Sequence, residues 1–155
     1  MERGGGYYGY LWRAFLYVFM LQGLFSLICN SAALYVLIYS KSDVIWSDIV
    51  GVCIWYFGFM LEIVADCELT NHIADKTPGK KKFINSGLWR YSRHPNYFGE
   101  MVLWWGVYLI ACSVEWGWVT IFAPLFISVL LRFVSGVPLL EKKYKGNPEW
   151  EAYCA

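Results

Sequence analysis

Long apolar runs alternate with shorter polar segments along this chain. The runs cover residues 11–39, 49–65, 101–112 and 119–140. The first run exceeds the ~20 apolar residues that a helix needs to cross a ~30 Å hydrocarbon core. The pattern predicts an all-α fold, a polytopic membrane helix bundle with about four transmembrane helices. We expect a flexible lead-in at 1–10 and a single membrane domain at 11–155.

The composition also indicates a membrane protein. Of the 155 residues, 58% are hydrophobic, 20% are aromatic and only 16% are charged, and a soluble domain would carry more charge. The formal net charge of +1 argues against a nucleic-acid partner, because no broad basic surface is available to neutralise phosphates. The five cysteines lack the Cys or His spacing of a metal site, so we predict no metal.

The most polar stretch next to an apolar run covers residues 87–100, Gly-Leu-Trp-Arg-Tyr-Ser-Arg-His-Pro-Asn-Tyr-Phe-Gly-Glu. Pro95 fits the first turn of a helix, since its φ is nearly helical and its missing N–H is not needed there. A helix should therefore begin at about His94. Its free N–H groups and positive dipole end would point back at Arg90, Arg93 and His94, a combination that suits an anion such as a phosphate.

Asn96 and Glu100 are four residues apart, so they share one face of this predicted helix, with Tyr97 close by. That face offers hydrogen-bond donors and acceptors to a polar ligand. The alternative interpretation is that arginines and tyrosines cluster here as membrane-interface anchors. That alternative does not explain why Asn96 and Glu100 lie on the same face of the helix.

Three further charged residues fall within the apolar runs or at their ends. Glu62 and Asp66 are one helical turn apart, and Arg132 lies well inside the last run. Charges at membrane depth are costly unless they are paired or line a wet cavity, so all three are candidate site residues. Asp66 is also consistent with an interfacial position. Arg132 should face the bundle interior and pair with Glu100, Asp66 or a ligand.

The positive charges predict an orientation. With four crossings, Arg13, the lysine-rich loop at 76–93 and the basic tail at 141–150 lie on one side. An excess of Lys and Arg in short loops marks the cytoplasmic side. The candidate site residues gather on that side, so we expect an integral membrane protein whose site faces the cytosol.

The 87–100 segment resembles the signature of the steroid 5α-reductase C-terminal-like membrane proteins, including their large uncharacterised branch. Three further motifs match the same branch: Trp-Trp-Gly at 104–106, Glu-x-x-Ala-Asp at 62–66 and Arg-x-x-Ser-Gly-Val-Pro-Leu-Leu-Glu at 132–141. The resemblance covers roughly residues 12–153. It implies a multi-helix membrane enzyme that binds NADPH in a cytosol-facing cavity and reduces a carbon–carbon double bond. The apolar walls favour a lipid, sterol or isoprenoid-like substrate.

The resemblance also implies which residues bind the cofactor. These are Asp66, Arg90, Arg93, His94, Asn96, Tyr97, Glu100 and Arg132. Asp66, Asn96, Glu100 and Arg132 would contact NADPH, and the others would shape its phosphate and ribose region. In full-length reductases the residues that polarise the substrate carbonyl come from helices ahead of the matched part. The resemblance therefore assigns no catalytic residue here and is consistent with a chain that holds only the cofactor half.

A second family is the alternative. Isoprenylcysteine and phospholipid methyltransferases, which bind S-adenosylmethionine, also carry Arg-His-Pro-x-Tyr-x-Gly before an apolar helix. They follow it with a Glu-Glu pair, whereas Glu141 stands alone in this chain, and Asn96 is the reductase-like residue after the proline. An NADPH-dependent reductase is the favoured hypothesis. An S-adenosylmethionine-dependent methyltransferase and a non-catalytic membrane fragment are the alternatives.

Overall fold

The computed structural model describes residues 7–40 and 43–154, which form helices and turns without strands. The α-helices are α1 Tyr7–Ala14, α2 Leu21–Tyr39, α3 Trp46–Ala74, α4 Pro95–Ala111, α5 Phe122–Val129, α6 Val137–Tyr144 and α7 Pro148–Cys154. Two π-helical turns, Phe15–Met20 and Leu130–Val134, and two 3-10 turns, Gly87–Arg90 and Gly117–Ile121, extend or connect them. The predicted all-α fold is confirmed.

Three helical stretches are long and apolar enough to cross a membrane. They are Leu11–Tyr39, Trp46–Ala74 and Gly117–Tyr144. The protein is therefore an integral membrane protein. Helix α4 has 17 residues and spans about 26 Å at 1.5 Å per residue, slightly less than the hydrocarbon core. It completes the helix bundle, and a fourth crossing remains a prediction.

The most extensive helix contact joins α3 and α4, which run antiparallel. Gly51 and Gly58 of α3 face Gly106 and Gly99 of α4. A Cβ atom added at Gly58 would lie 2.6 Å from the Gly99 carbonyl oxygen, so no larger residue fits. Small residues let helix backbones approach closely in membrane bundles. Ala65, which is fully buried, continues the same face of α3 toward the polar end of the bundle.

Helices α2 and α5 pack against α4 as well. Ala32 of α2, Ala111 of α4 and Ala123 of α5 form one small buried cluster. Cys29 and Ile127 belong to a second cluster, which lies nearer the start of α4. Helix α4 is therefore central, with α3 on one side and α2 and α5 on the other.

Contacts between connecting segments define the two ends of the bundle. At one end, Tyr35 Oη donates a 2.9 Å hydrogen bond to the carbonyl oxygen of Glu115. At the other end, the Phe83 ring lies 5.0 Å from the rings of both Tyr144 and Trp150. The lysine-rich loop and the basic tail therefore meet at the end where α4 begins. We call this the polar end.

Two boundaries differ from those predicted. The first helix begins at Tyr7, earlier than expected, and residues 1–6 of the predicted lead-in lie outside the described residues. Helix α3 continues to Ala74, well past residue 65, where the predicted apolar run ends. The physical reason is that α3 is longer than the hydrocarbon core is thick. Its last turns are polar because they leave the membrane, and they still pack against the 84–89 segment.

Candidate functional site

The segment before α4 is attached to α3 at two points. Glu68 Oε2 accepts a 2.9 Å hydrogen bond from the Leu88 N–H, and the buried Trp89 indole donates a 3.0 Å bond to the carbonyl oxygen of Ala65. Gly87 permits this approach because its φ is +57° and a Cβ atom there would collide with the Glu68 carboxylate. Contacts with α3 therefore fix where α4 starts.

Helix α4 begins at Pro95 with His94 as its N-cap residue, as predicted. Asn96 follows in the first turn, and its Nδ2 donates a 3.0 Å hydrogen bond to Asp66 Oδ1 on α3. Asn96 Oδ1 is buried and has no hydrogen-bond partner within residues 7–40 and 43–154. A buried acceptor without a partner is costly. This oxygen is therefore available to an N–H or O–H group of a ligand.

Glu141 connects α6 to the same segment. Its Oε1 forms an ion pair with Arg93 Nη1 at 2.9 Å and lies 3.2 Å from His94 Nε2. Burial lowers the pKa of His94 below its ordinary value, and the hydrogen bond to Glu141 partly opposes this shift. Because a carboxylate only accepts hydrogen bonds, a neutral His94 carries its proton on Nε2 and leaves Nδ1 as an acceptor. The His94 ring stacks on Tyr97, with centroids 5.5 Å apart.

Arg132 lies in the π-helical turn Leu130–Val134, which ends in a 2.8 Å hydrogen bond from the Ser135 N–H to the Leu130 carbonyl. Such turns occur frequently at functional sites. A cavity of about 360 Å³ adjoins this turn. The polar or aromatic residues that line it include Arg93, His94, Tyr97, Arg132 and Glu141. Two guanidinium groups and an imidazole therefore surround one space.

A second cavity, of about 240 Å³, is more apolar. Trp89 and Trp150 contribute to its walls, and Asn96 lies on its lining. Arg93 and His94 line this cavity as well as the first. The two spaces therefore adjoin at these side chains, so an elongated ligand could contact both.

Six of the eight predicted cofactor-binding residues line these cavities or contact a residue that does. They are Asp66, Arg93, His94, Asn96, Tyr97 and Arg132. Glu100 lies one turn after Asn96, within electrostatic range of Glu62 and Asp66. Arg90 is exposed at the end of its 3-10 turn and forms no ion pair in the part of the chain that the structure describes.

The predicted partners of Arg132 need a correction. Arg132 forms no ion pair with Glu100 or Asp66 among the described residues, and its side chain is exposed. The reason is that Asp66 is hydrogen-bonded to Asn96 on the α3–α4 side, whereas Arg132 lines the cavity of about 360 Å³ on the side of Glu141. A ligand is the remaining one of the three predicted partners.

Three residues that position the site are not among those that the sequence predicts. They are Glu68, Trp89 and Tyr153. Glu68 could have been found by extending the helix past Asp66. Trp89 could have been found because a buried tryptophan usually requires an acceptor for its indole N–H. The Tyr153 hydroxyl donates a 2.9 Å hydrogen bond to the Trp89 carbonyl. No local pattern in the tail indicates that it folds back in this way.

Known proteins resemble this chain at two levels. A family model described as "Protein of unknown function (DUF1295)" matches residues 6–155. The chain belongs to the DUF1295 family. This DUF1295 protein is also similar to 3-oxo-5-alpha-steroid 4-dehydrogenase 1 of Bos taurus, with 36% identity over 70 residues. The resemblance to steroid 5α-reductase-like proteins is thereby confirmed.

The similarity to the bovine protein is partial. It covers 44% of the DUF1295 chain and 26% of the bovine protein, so the match spans about a quarter of that relative's length. No solved structure matches the chain significantly. The activity of the bovine protein is therefore not transferred to this DUF1295 protein by sequence identity alone.

Proposed function

We propose that this protein is a membrane-embedded reductase that uses NADPH to reduce a carbon–carbon double bond in a lipid, sterol or isoprenoid-like substrate. The observation that carries the proposal is the buried Oδ1 of Asn96, which has no hydrogen-bond partner among the described residues and is close to cavities lined by Arg93 and Arg132. The partial similarity to a steroid dehydrogenase supports it. The lysine-rich loop at the same end favours a cytosolic site, where NADPH is available.

The cationic residues suit the phosphates of NADPH. Arginine binds phosphate through charge-assisted and often bidentate hydrogen bonds. Among the described residues, Arg93 contacts Glu141 and Cys154 through Nη1, which leaves its other N–H groups for a ligand. Arg132 has no protein counter-ion within the described residues. Arg90 is close along the chain to the start of α4, whose free N–H groups also favour an anion.

The opposite side of the helix start suits the uncharged groups of the cofactor. Asn96 Oδ1 can accept a hydrogen bond from the nicotinamide carboxamide or from a ribose hydroxyl. The carboxylates of Asp66 and Glu100 can accept hydrogen bonds from ribose hydroxyls as well. The stacked rings of His94 and Tyr97 line the same cavity as Arg132. The donors and acceptors present therefore fit a dinucleotide phosphate.

When bound, NADPH would supply the hydride for reduction of the double bond. The residues of this chain would hold the cofactor and orient it. The apolar walls around Trp89 and Trp150 would keep water from one side of the site and suit an apolar substrate or ring. Substrate recognition is a proposal for the whole protein, and we assign no catalytic residue within this chain.

The experiment that tests the proposal is the thermal unfolding midpoint of the detergent-purified chain with NADPH, NADH or S-adenosylmethionine. A ligand that binds only the folded state stabilises it by ~2.7 kcal/mol at a hundredfold excess over its dissociation constant. We expect NADPH to raise the midpoint. Oxidation of NADPH, followed at 340 nm with sterol and isoprenoid enones, then tests reduction itself.

The other outcomes are equally informative. A shift with S-adenosylmethionine and none with NADPH would replace the reductase proposal with the methyltransferase alternative. No shift with any nucleotide would favour a non-catalytic membrane fragment. A shift with NADPH but no oxidation with any enone would support the cofactor site and reject catalysis by this chain alone.

A further inference from the structure

We infer that the polar end of the bundle carries a surface that binds the headgroups of anionic lipids. Two segments form it, one in the loop after α3 and one at the end of α6. We call this surface the basic patch, and it consists of Lys81, Lys82, Lys142, Lys143 and Lys145. The inference goes beyond the proposed function and does not depend on it.

Aromatic rings bring the two lysine segments together. The rings of Phe83 and Tyr144 meet edge to face, with centroids 5.0 Å apart. Lys82 Nζ lies 5.8 Å from the Phe83 centroid, and Lys143 Nζ lies 5.9 Å from the Tyr144 centroid. The buried Trp150 packs against both rings. Cations that are far apart in the sequence are thus held over neighbouring rings, with cation–π attraction.

The charge of the basic patch is largely uncompensated. Lys80, which precedes it, forms an ion pair with Asp75 at 3.3 Å. The five patch lysines form no ion pair in the described part of the chain. Glu141, Glu149 and Glu151 share surface depressions with patch lysines. Glu141 is already paired with Arg93, so two further carboxylates oppose five ammonium groups. A clear positive excess remains.

The position of the patch favours a lipid headgroup over a soluble partner. Its first segment lies in the loop after the candidate membrane span Trp46–Ala74, and its second segment lies at the end of the candidate span Gly117–Tyr144. Clusters of lysine next to a membrane helix attract anionic lipids. Leu139 is 62% exposed beside the second segment and provides an apolar contact for acyl chains. A depression of about 340 Å³, lined in part by residues 80–82, has room for a headgroup.

The experiment compares lipids that differ in headgroup charge. The full chain in a neutral detergent is titrated with dihexanoylphosphatidylglycerol, dihexanoylphosphatidylcholine or inorganic phosphate, and its thermal midpoint is recorded. One variant replaces all five patch lysines with glutamine, and a matched variant replaces them with arginine, which keeps the charge. Native mass spectrometry of the same samples counts the lipids retained.

We expect phosphatidylglycerol alone to raise the midpoint and to remain bound. Its apparent affinity should fall at least about tenfold in the glutamine variant and persist in the arginine variant. Equal responses to both lipids, or an unchanged affinity in the glutamine variant, would overturn the inference, and so would an equal shift with inorganic phosphate. If the glutamine variant does not fold, the salt dependence of the unmodified protein is the test. The rise in midpoint with phosphatidylglycerol should become smaller at about 0.5 M NaCl, because ions screen exposed charges. A rise that does not depend on salt would overturn the inference.

Discussion

Asn96 on α4 and Asp66 on α3 are joined by a 3.0 Å hydrogen bond in which the asparagine amide is the donor. The bond lies at the polar end of the interface that Gly58 and Gly99 bring into close contact. It fixes the orientation of the amide, so that Oδ1 remains buried with no hydrogen-bond partner in the part of the chain that the structure describes. The packing of α3 against α4 thus buries a hydrogen-bond acceptor. A bound ligand that donates a hydrogen bond to it would remove the free-energy cost of leaving it unsatisfied.

Replacing Asn96 with alanine should weaken NADPH binding about tenfold while changing the stability of the free protein little. The variant loses one hydrogen bond to Asp66 but also removes an unsatisfied buried oxygen, and these effects on folding oppose each other. Asn71→Ala is the matched control, because Asn71 is exposed on the same helix as Asp66. Fluorescence titration with NADPH measures the affinity. Equal affinities of the two variants, with a lower unfolding midpoint only for Asn96→Ala, would indicate a packing role instead.

Gly58→Ala should destabilise the bundle by about 1 to 3 kcal/mol, as overpacking does elsewhere. Its Cβ atom would lie 2.5 Å from the Leu103 nitrogen and 2.6 Å from the Gly99 carbonyl oxygen, and backbone atoms cannot rotate away. Gly23→Ala is the control, since nothing lies within 4 Å of the added atom. It should be neutral or slightly stabilising, because alanine favours helix. Thermal unfolding in one detergent compares them, and equal midpoints would argue against the close α3–α4 contact.

Gly87→Ala should lower both stability and NADPH affinity more than Gly79→Ala. Both glycines have positive φ, +57° and +80°, so the backbone strain of an alanine is similar at the two positions. They differ in the room available for the added Cβ atom. At Gly87 it collides with the Glu68 carboxylate, and at Gly79 it has no neighbour within 4 Å. Displacing Glu68 would release the Leu88 N–H that fixes the start of α4. Matching midpoints and affinities in the two variants would show that this anchor is dispensable.

The sequence predicts the parts of the site that depend on local rules. Pro95 is well suited to the first turn of a helix, so the start of α4 and the shared face of Asn96 and Glu100 could be placed in advance. The apolar runs were sufficient to predict the helices that are long and apolar enough to cross the membrane. Boundaries at the polar end were less predictable, because α3 continues beyond the apolar run and makes tertiary contacts there, such as the hydrogen bond from the Leu88 N–H to Glu68.

Partners that come from distant parts of the chain were not predictable. The sequence indicated that Arg132 needs a counter-charge but offered no way to choose among Glu100, Asp66 and a ligand. The choice depends on α6, which folds back after Gly136 and brings Glu141 to Arg93 and His94. Helix α7 also folds back, and its Tyr153 hydroxyl donates a hydrogen bond to the Trp89 carbonyl. The hydrophobic periodicity of the sequence does not predict that either helix folds back.

Acid should destabilise the protein through His94. Burial lowers its pKa below the ordinary value of 6.5 in the folded state. As pH falls below about 6.5, the unfolded chain therefore binds a proton before the folded chain does, and stability decreases until the pH passes the folded pKa. The unfolding midpoint should thus decrease more steeply between about pH 7 and pH 5 for the wild type than for His94→Gln. Parallel curves for the two proteins would contradict the burial of a neutral His94.

Arg132→Gln should weaken NADPH binding without lowering the stability of the free protein. Arg132 is exposed at a cavity and has no ion pair within the described residues, so its removal breaks no salt bridge. A phosphate of the cofactor would lose a charge-assisted hydrogen bond worth about 1.5 to 3 kcal/mol, a loss of more than tenfold in affinity. Arg13→Gln, at an exposed arginine of α1, is the charge-matched control and should bind NADPH normally. A fall in the midpoint of nucleotide-free Arg132→Gln, with NADPH affinity unchanged, would show instead that Arg132 stabilises the fold.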